Sequence, residues 1–143
     1  MVVVEKSALV LFSDEQMFTL VNDIEAYPSF LAGCLAAELH HRSDEEILAS
    51  LTLGKGGVNF TFKTRNQLEF PSAMIMQLES GPFKALTGTW RFNQLGDLGC
   101  KVALDLRFEP ENKVMGMAIN PLMTQMAGQM VSAFCERANE LYG

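Results

Sequence analysis

The chain has 143 residues, 48% hydrophobic and 20% charged, with a formal net charge of −6. That length fits a single domain, residues 1–143, of the usual ~100–200 residues with a sizeable core. The negative balance excludes nucleic-acid binding driven by overall charge and leaves only a local basic patch to be sought.

Residues 2–12 are rich in Val and Leu and alternate as Val2, Val4, Lys6, Ala8 and Val10, which predicts a first strand. Glu5 and Lys6 interrupt this apolar run, and it has no basic lead or small-residue cleavage site, so no signal peptide is expected and a cytoplasmic location is. No run approaches the ~20 apolar residues of a membrane span. Ser13 and Gln16 have capping-box spacing, and Met17, Phe18, Leu20, Val21 and Ile24 follow at helical spacing. Pro28 stops a long continuation, so Tyr27–Leu31 reads as a second short helix or turn.

From about residue 34 to residue 109 the period is two. Segments 34–42, 45–54, 58–70, 73–80, 85–95 and 100–109 read as strands, separated by turn residues such as Lys55-Gly56-Gly57, Pro71-Ser72 and Gly81-Pro82. Phe60, Phe62, Thr64, Asn66, Leu68 and Phe70 share one face of the third of these, and Lys63, Arg65 and Glu69 share the other. Short links between alternating strands predict an antiparallel meander with one wet face.

Residues 111–142 return to helical spacing through Met115, Ile119, Leu122, Met126, Met130, Phe134, Ala138 and Leu141. A helix of about 30 residues is roughly 45 Å long and spans a small domain. The order of elements predicts an α+β helix-grip fold: a curved antiparallel sheet of about seven strands wrapped on a long C-terminal helix, with two short helices after the first strand. A gap between helix and sheet is a ready apolar pocket.

Several blocks now carry a resemblance: Leu20-Val21-Asn22-Asp23, Tyr27-Pro28-Ser29-Phe30-Leu31, Cys34, Thr64-Arg65-Asn66, and Gly81-Pro82-Phe83-Lys84-Ala85-Leu86-Thr87-Gly88-Thr89-Trp90-Arg91-Phe92. Together they resemble the START-like family of the polyketide cyclase-like superfamily that contains the mitochondrial coenzyme Q-binding proteins and the bacterial ribosome association toxins. The resemblance runs nearly end to end. One departure is Ala32-Gly33, where the family often has proline, which implies a looser loop. The resemblance implies two functions. The first, taken here as the main expectation, is binding of ubiquinone or a similar isoprenoid lipid in the helix–sheet cavity, supporting respiration and involving transient contact with a membrane. The second is association with the large ribosomal subunit, blocking its union with the small one and hence translation initiation.

Five of the nine methionines lie in residues 114–130, together with Gly116, Pro121 and Gly128. Methionine repacks around a variable apolar guest, and Pro121 deprives the carbonyl of Met117 of its donor and bends or breaks a helix. This segment reads either as a movable lid or as filler of an irregular core with a break before Pro121. The expected cavity lining is Phe60, Phe62, Met74, Met76, Trp90, Phe92, Leu104, Met115, Ile119, Leu122, Met126 and Met130, with Tyr27, Pro28 and Phe30 at the rim. An aromatic stripe of this kind, continued by Phe108, is equally a plain core. Thr64 and Asn66 either orient a head group or lie where the strand leaves the core and faces water.

The wet face places Lys63, Arg65, Arg91, Lys101 and Arg107 toward solvent as candidate contacts to ribosomal RNA, but Glu69, Glu79, Asp105 and Glu109 share it. His40 and His41 point to opposite faces of a strand and Glu38 gives no third ligand, so no metal site is expected. The scattered cysteines Cys34, Cys100 and Cys135 form no CxxC pair and read as small buried thiols. Nucleophile-elbow, phosphate-loop, dinucleotide and metalloprotease motifs are absent. With no inward carboxylate–histidine pair, catalysis is not expected, although cyclases share the layout. No cofactor is required beyond ubiquinone as the bound ligand.

Overall fold

In the computed structural model, which describes residues 1–143, the alternating segments pair with their sequence neighbours into one antiparallel sheet. The strands are β1 (Val2–Val10), β2 (Cys34–Arg42), β3 (Glu46–Lys55), β4 (Val58–Glu69), β5 (Ala73–Ser80), β6 (Phe83–Gln94) and β7 (Cys100–Pro110). Their order is β1-β7-β6-β5-β4-β3-β2, so the first strand closes onto the last. The helices are α1 (Asp14–Val21), α2 (Tyr27–Phe30) and α3 (Lys113–Tyr142), with one turn of 3-10 helix at Ile24–Ala26. This is the expected helix-grip architecture.

Local chemistry sets the boundaries. The Ser13 side chain accepts from the Gln16 backbone amide and the Gln16 side chain accepts from the Ser13 amide, so α1 starts on a complete capping box. The Asn112 side chain accepts from the Met115 amide at 2.9 Å and starts α3. Pro28 stands in the first turn of α2, where its missing N–H costs no helical bond. β4 ends at Glu69, one residue short of expectation. Phe70 is therefore not on the inner face. It is exposed beside Pro71, edge-on to Phe18 at 5.1 Å.

Helix α3 runs unbroken through Pro121 as the expected long C-terminal helix, which rules out the alternative of a break before Pro121. Pro121 and Met117 both face solvent, so water can take the carbonyl that the proline leaves without a donor. The glycines mark close approaches. A side chain at Gly116 would meet Pro110 at 3.4 Å, and the Lys6 side chain crosses over Gly128. The buried face of α3 is wider than the expected single stripe, because Met123, Ala127 and Val131 are buried beside Ile119, Leu122, Met126, Met130, Phe134 and Ala138. Met115 is half-buried and Leu141 exposed.

Sheet and helix share one core of 33 buried residues. At its centre the Phe134 ring meets Tyr27 at 5.2 Å, Phe30 at 5.3 Å and Trp90 at 5.3 Å, all steeply tilted, tying α3 to α2 and β6. Strand register aligns Ile47, Asn66, Met76, Gly88, Leu106 and Val4 in one inward row across β3, β4, β5, β6, β7 and β1. Gly88 leaves a notch in that row, and the Met76 methyl group fills it beside Leu106.

Candidate functional site

The space between α3 and the sheet is nearly full. What remains is an inner cavity of about 30 Å³ lined by Ile24, Tyr27, Ala49, Leu51, Phe62, Thr64, Asn66, Met76, Leu86, Leu104, Leu106, Met123, Met126 and Met130. A water molecule needs ~10–15 Å³ on this measure and benzene ~150 Å³, so the cavity has room for one or two waters and none for a quinone ring. Methionine causes this: Met76, Met123, Met126 and Met130 reach into the bowl from both layers. Of the expected lining, Phe62, Met76, Leu104, Met126 and Met130 meet here. Phe60, Met74, Trp90, Phe92 and Ile119 point inward but are packed solid, and Met115 lies at the far start of α3. Leu122 instead lines a surface crevice of about 270 Å³ with Ala32, Gly33, Gly54, Lys55, Gln125, Met126 and Gln129.

The expected rim is also rearranged. Tyr27 is an inner wall rather than a lip: its side chain is buried and its hydroxyl donates to the Val21 carbonyl. Burial pushes the phenol far above its usual range, with Cys34 and Asp23 adding to the effect. Pro28 is on the surface, and Phe30 sits under the Arg137 guanidinium, 5.4 Å from its ring centre, and against Phe134. The crevice opens instead at Ala32-Gly33, where Gly33 has φ +88°. That conformation favours glycine.

Thr64 and Asn66 are polar residues of the inner cavity, and both are buried, so the strand has not left the core at this point and they do not face water. The Asn66 side-chain oxygen has no hydrogen-bond partner, nor does the indole N–H of Trp90. An unpaired buried acceptor costs about 1–3 kcal/mol.

The outer face of the sheet presents the five expected cations but not as one patch. Arg65 is held between Glu46 and Glu79, bonding Glu79 at 3.1 Å, and Arg107 bonds Asp105 at 3.0 Å. These pairs hold the Glu79 and Asp105 carboxyls below the usual range. Lys63 pairs across from Ser80, at the opposite end of β5 from Ala73, which pairs with Arg91. Arg91 and Lys101 remain together, beside Glu5 and Asp105 in a shallow groove. Next to them lie three leucines that are unusually open to water: Leu9 at 73%, Leu11 at 88% and Leu98 at 79% exposure. Leu9 is directly across from Lys101, and the Leu11 backbone abuts Gly99, the neighbour of Leu98. Exposed apolar clusters rimmed by charge mark interaction surfaces. The sequence reading missed this cluster, whose only signals were the parity of Leu9 and Leu11 and an apolar residue in the 95–99 loop.

The remaining candidates carry little chemistry. His40 bonds Ser50 at 2.7 Å on the surface, and no three His, Cys, Asp or Glu side chains form a metal-holding group. All three thiols are free and raised by burial, Cys100 to about 11, with Asp14 and Cys135 adding to it. Protonated thiols are poor nucleophiles. No helix is long and apolar enough to cross a membrane.

Residues 12–135 match the family described as polyketide cyclase / dehydrase and lipid transport. The chain is 41% identical to the ribosome association toxin RatA of Pseudomonas aeruginosa, over 98% of this chain and 97% of that one. It is 43% identical to the RatA protein of Vibrio cholerae over the same shares. A coenzyme Q-binding protein of Drosophila melanogaster is 25% identical, over 96% of this chain and 59% of its own. A Thermus thermophilus protein of solved structure superposes with a TM-score of 0.86 at 18% identity, covering 99% of this chain and all of that one. A Streptomyces aromatase/cyclase does so at 0.70 and 19%, over 97% and 87%. Both of these show the fold alone.

Proposed function

The chain belongs to the polyketide cyclase / dehydrase and lipid transport family, among its ribosome association toxins, and from that premise we propose that it acts by associating with the ribosome, on the large subunit. The observation that carries the reading is near-end-to-end identity above 40% to proteins named for ribosome association. A surface on the outer face of the sheet supports this reading: Arg91 and Lys101 would answer RNA phosphates there, and Leu9, Leu11 and Leu98 are apolar surface that a partner would cover. Bound there, the protein would keep the small subunit from docking.

The test is sedimentation of a lysate through a sucrose gradient at low magnesium. Co-migration with the large subunit, lost in a folded Leu11→Ser/Leu98→Ser variant, is the expected result. A protein that stays at the top of the gradient sinks the proposal.

Ubiquinone carriage is the second reading. It is favoured by the apolar inner cavity with its polar end at Thr64 and Asn66, and by similarity to a coenzyme Q-binding protein. It requires the methionines to move aside, since the closed cavity admits no ring. Mass spectrometry of an organic extract of the purified protein tests it directly, and an extract without quinone from quinone-replete cells counts against it.

A further inference from the structure

A groove on the surface combines an apolar floor with one charge of each sign. It lies where the β2–β3 turn meets the end of β4, measures about 510 Å³, and is lined by Phe18, Arg42, Ser43, Asp44, Leu68 and Phe70. Phe70 is the one phenylalanine that stands exposed, at 59%, and its edge-on contact with Phe18 at 5.1 Å fixes the ring there. Backbone bonds hold the walls. The Ser43 amide donates to the Glu46 carbonyl at 2.8 Å, the Glu46 amide donates to the Ser43 hydroxyl at 3.2 Å, and the Leu68 amide donates to the Glu45 carbonyl at 2.9 Å. A site built in advance loses little freedom on binding.

The charges do not satisfy each other. Arg42 donates from one guanidinium nitrogen, Nη2, to the Asn22 carbonyl at 2.9 Å, which steadies the group at the end of α1 and leaves its other donors for a ligand. Asp44 is exposed, and neither residue is in an ion pair. A phosphate on Arg42 would be repelled by Asp44, a simple cation on Asp44 would be repelled by Arg42, and a neutral apolar molecule would answer neither. A zwitterion with an apolar arm answers all three features: the guanidinium fork takes its carboxylate, Asp44 takes its ammonium, and the arm covers Phe70 and Leu68. We propose that this groove binds a free α-amino acid with an apolar side chain. The proposal rests on neither ribosome association nor the inner cavity.

The probes are L-phenylalanine, phenethylamine, which lacks the carboxylate, and hydrocinnamate, which lacks the ammonium. Each is titrated into the intact protein and followed by two-dimensional amide NMR. Phenylalanine is expected to bind about tenfold tighter than either analogue, the worth of one charge-assisted hydrogen bond, with shifts centred on residues 42–44 and 68–70. Arg42→Gln should erase the preference over phenethylamine and keep the preference over hydrocinnamate. Asp44→Asn should do the reverse. No binding of phenylalanine at millimolar concentration, equal affinities for the three probes, or shifts centred elsewhere would each overturn the proposal. Hydrocinnamate binding as tightly as phenylalanine would also overturn it and would assign the groove to the carboxylate end of a peptide. The wild-type comparison decides the matter even if a variant does not fold.

Discussion

The ribosome reading makes a quantitative demand on salt dependence. Of the five outer-face cations, Arg65 and Arg107 are already matched by carboxylates and Lys63 lies at the far end of the sheet, which leaves Arg91 and Lys101 beside the exposed leucines. Each phosphate neutralised contributes about 0.7–0.9 to the slope of log affinity against log salt. Two cations therefore contribute a slope of about 1.4–1.8, or about a tenfold loss of affinity between roughly 50 and 200 mM salt. The assay is fluorescence anisotropy of labelled protein titrated with purified large subunits across that range at fixed magnesium. Arg91→Gln/Lys101→Gln should flatten the dependence by about that slope. Lys113→Gln removes one charge at the start of α3, while β7 carries the chain about 30 Å away from Lys101, and should leave the dependence unchanged. An undiminished slope in the double variant, or an equal effect from Lys113→Gln, would refute the assignment of this surface.

Two further outcomes follow from packing and titration. Phe134→Ala removes a fully buried ring that meets three aromatic neighbours. It should lower stability by about 3–5 kcal/mol in urea unfolding, and a loss below about 1 kcal/mol would mean that the helix is not held at this point. The Tyr27 phenol and the Cys100 thiol have folded pKa values raised above their ordinary ones, Cys100 to about 11. The folded state keeps each proton more tightly than the unfolded chain, so their contribution is full at neutral pH and is lost as pH rises, from about 9 for the thiol and about 10 for the phenol. Urea midpoints followed to high pH should fall less steeply for Cys100→Ala and Tyr27→Phe than for the wild type, and parallel curves for all three would show that neither group matters.

Parity and spacing were enough to place the layers, because alternation in β4, β6 and β7 is strict and the spacing of α3 is regular. What they did not place was filling. Trp90, Phe92 and Met74 were read as cavity wall because they point inward. Pointing inward does not say whether the neighbours close the space, and here they do. Met123 was missed because a single stripe cannot show how far the sheet wraps around the helix. Asn66 was ambiguous because its inward parity holds equally for a strand end that has left the core, and only the row from Ile47 through Met76 to Leu106 fixes it under α3. The cations failed as a patch for a related reason. Parity put all five on the outer face, but strand pairing decides their separation along it, and side-chain reach decides which carboxylate takes Arg65.

The two candidate sites lie on opposite faces of the same sheet, and β7 serves both. Its Leu104 and Leu106 line the inner cavity while Lys101 and its neighbours face outward. Guest and partner therefore do not compete for space. Any coupling between them must pass through the strands, since α3 covers only the inner face. A closed cavity walled by methionine opens by rotamer changes, which leave strand positions nearly fixed. On that ground, filling the cavity should leave the Arg91–Lys101 surface in place, and ribosome association should be insensitive to a guest unless opening also shifts the backbone of β7. The glycine notch at Gly88 is where such a shift would start, because the Met76 methyl group rests there against Leu106 of β7 itself.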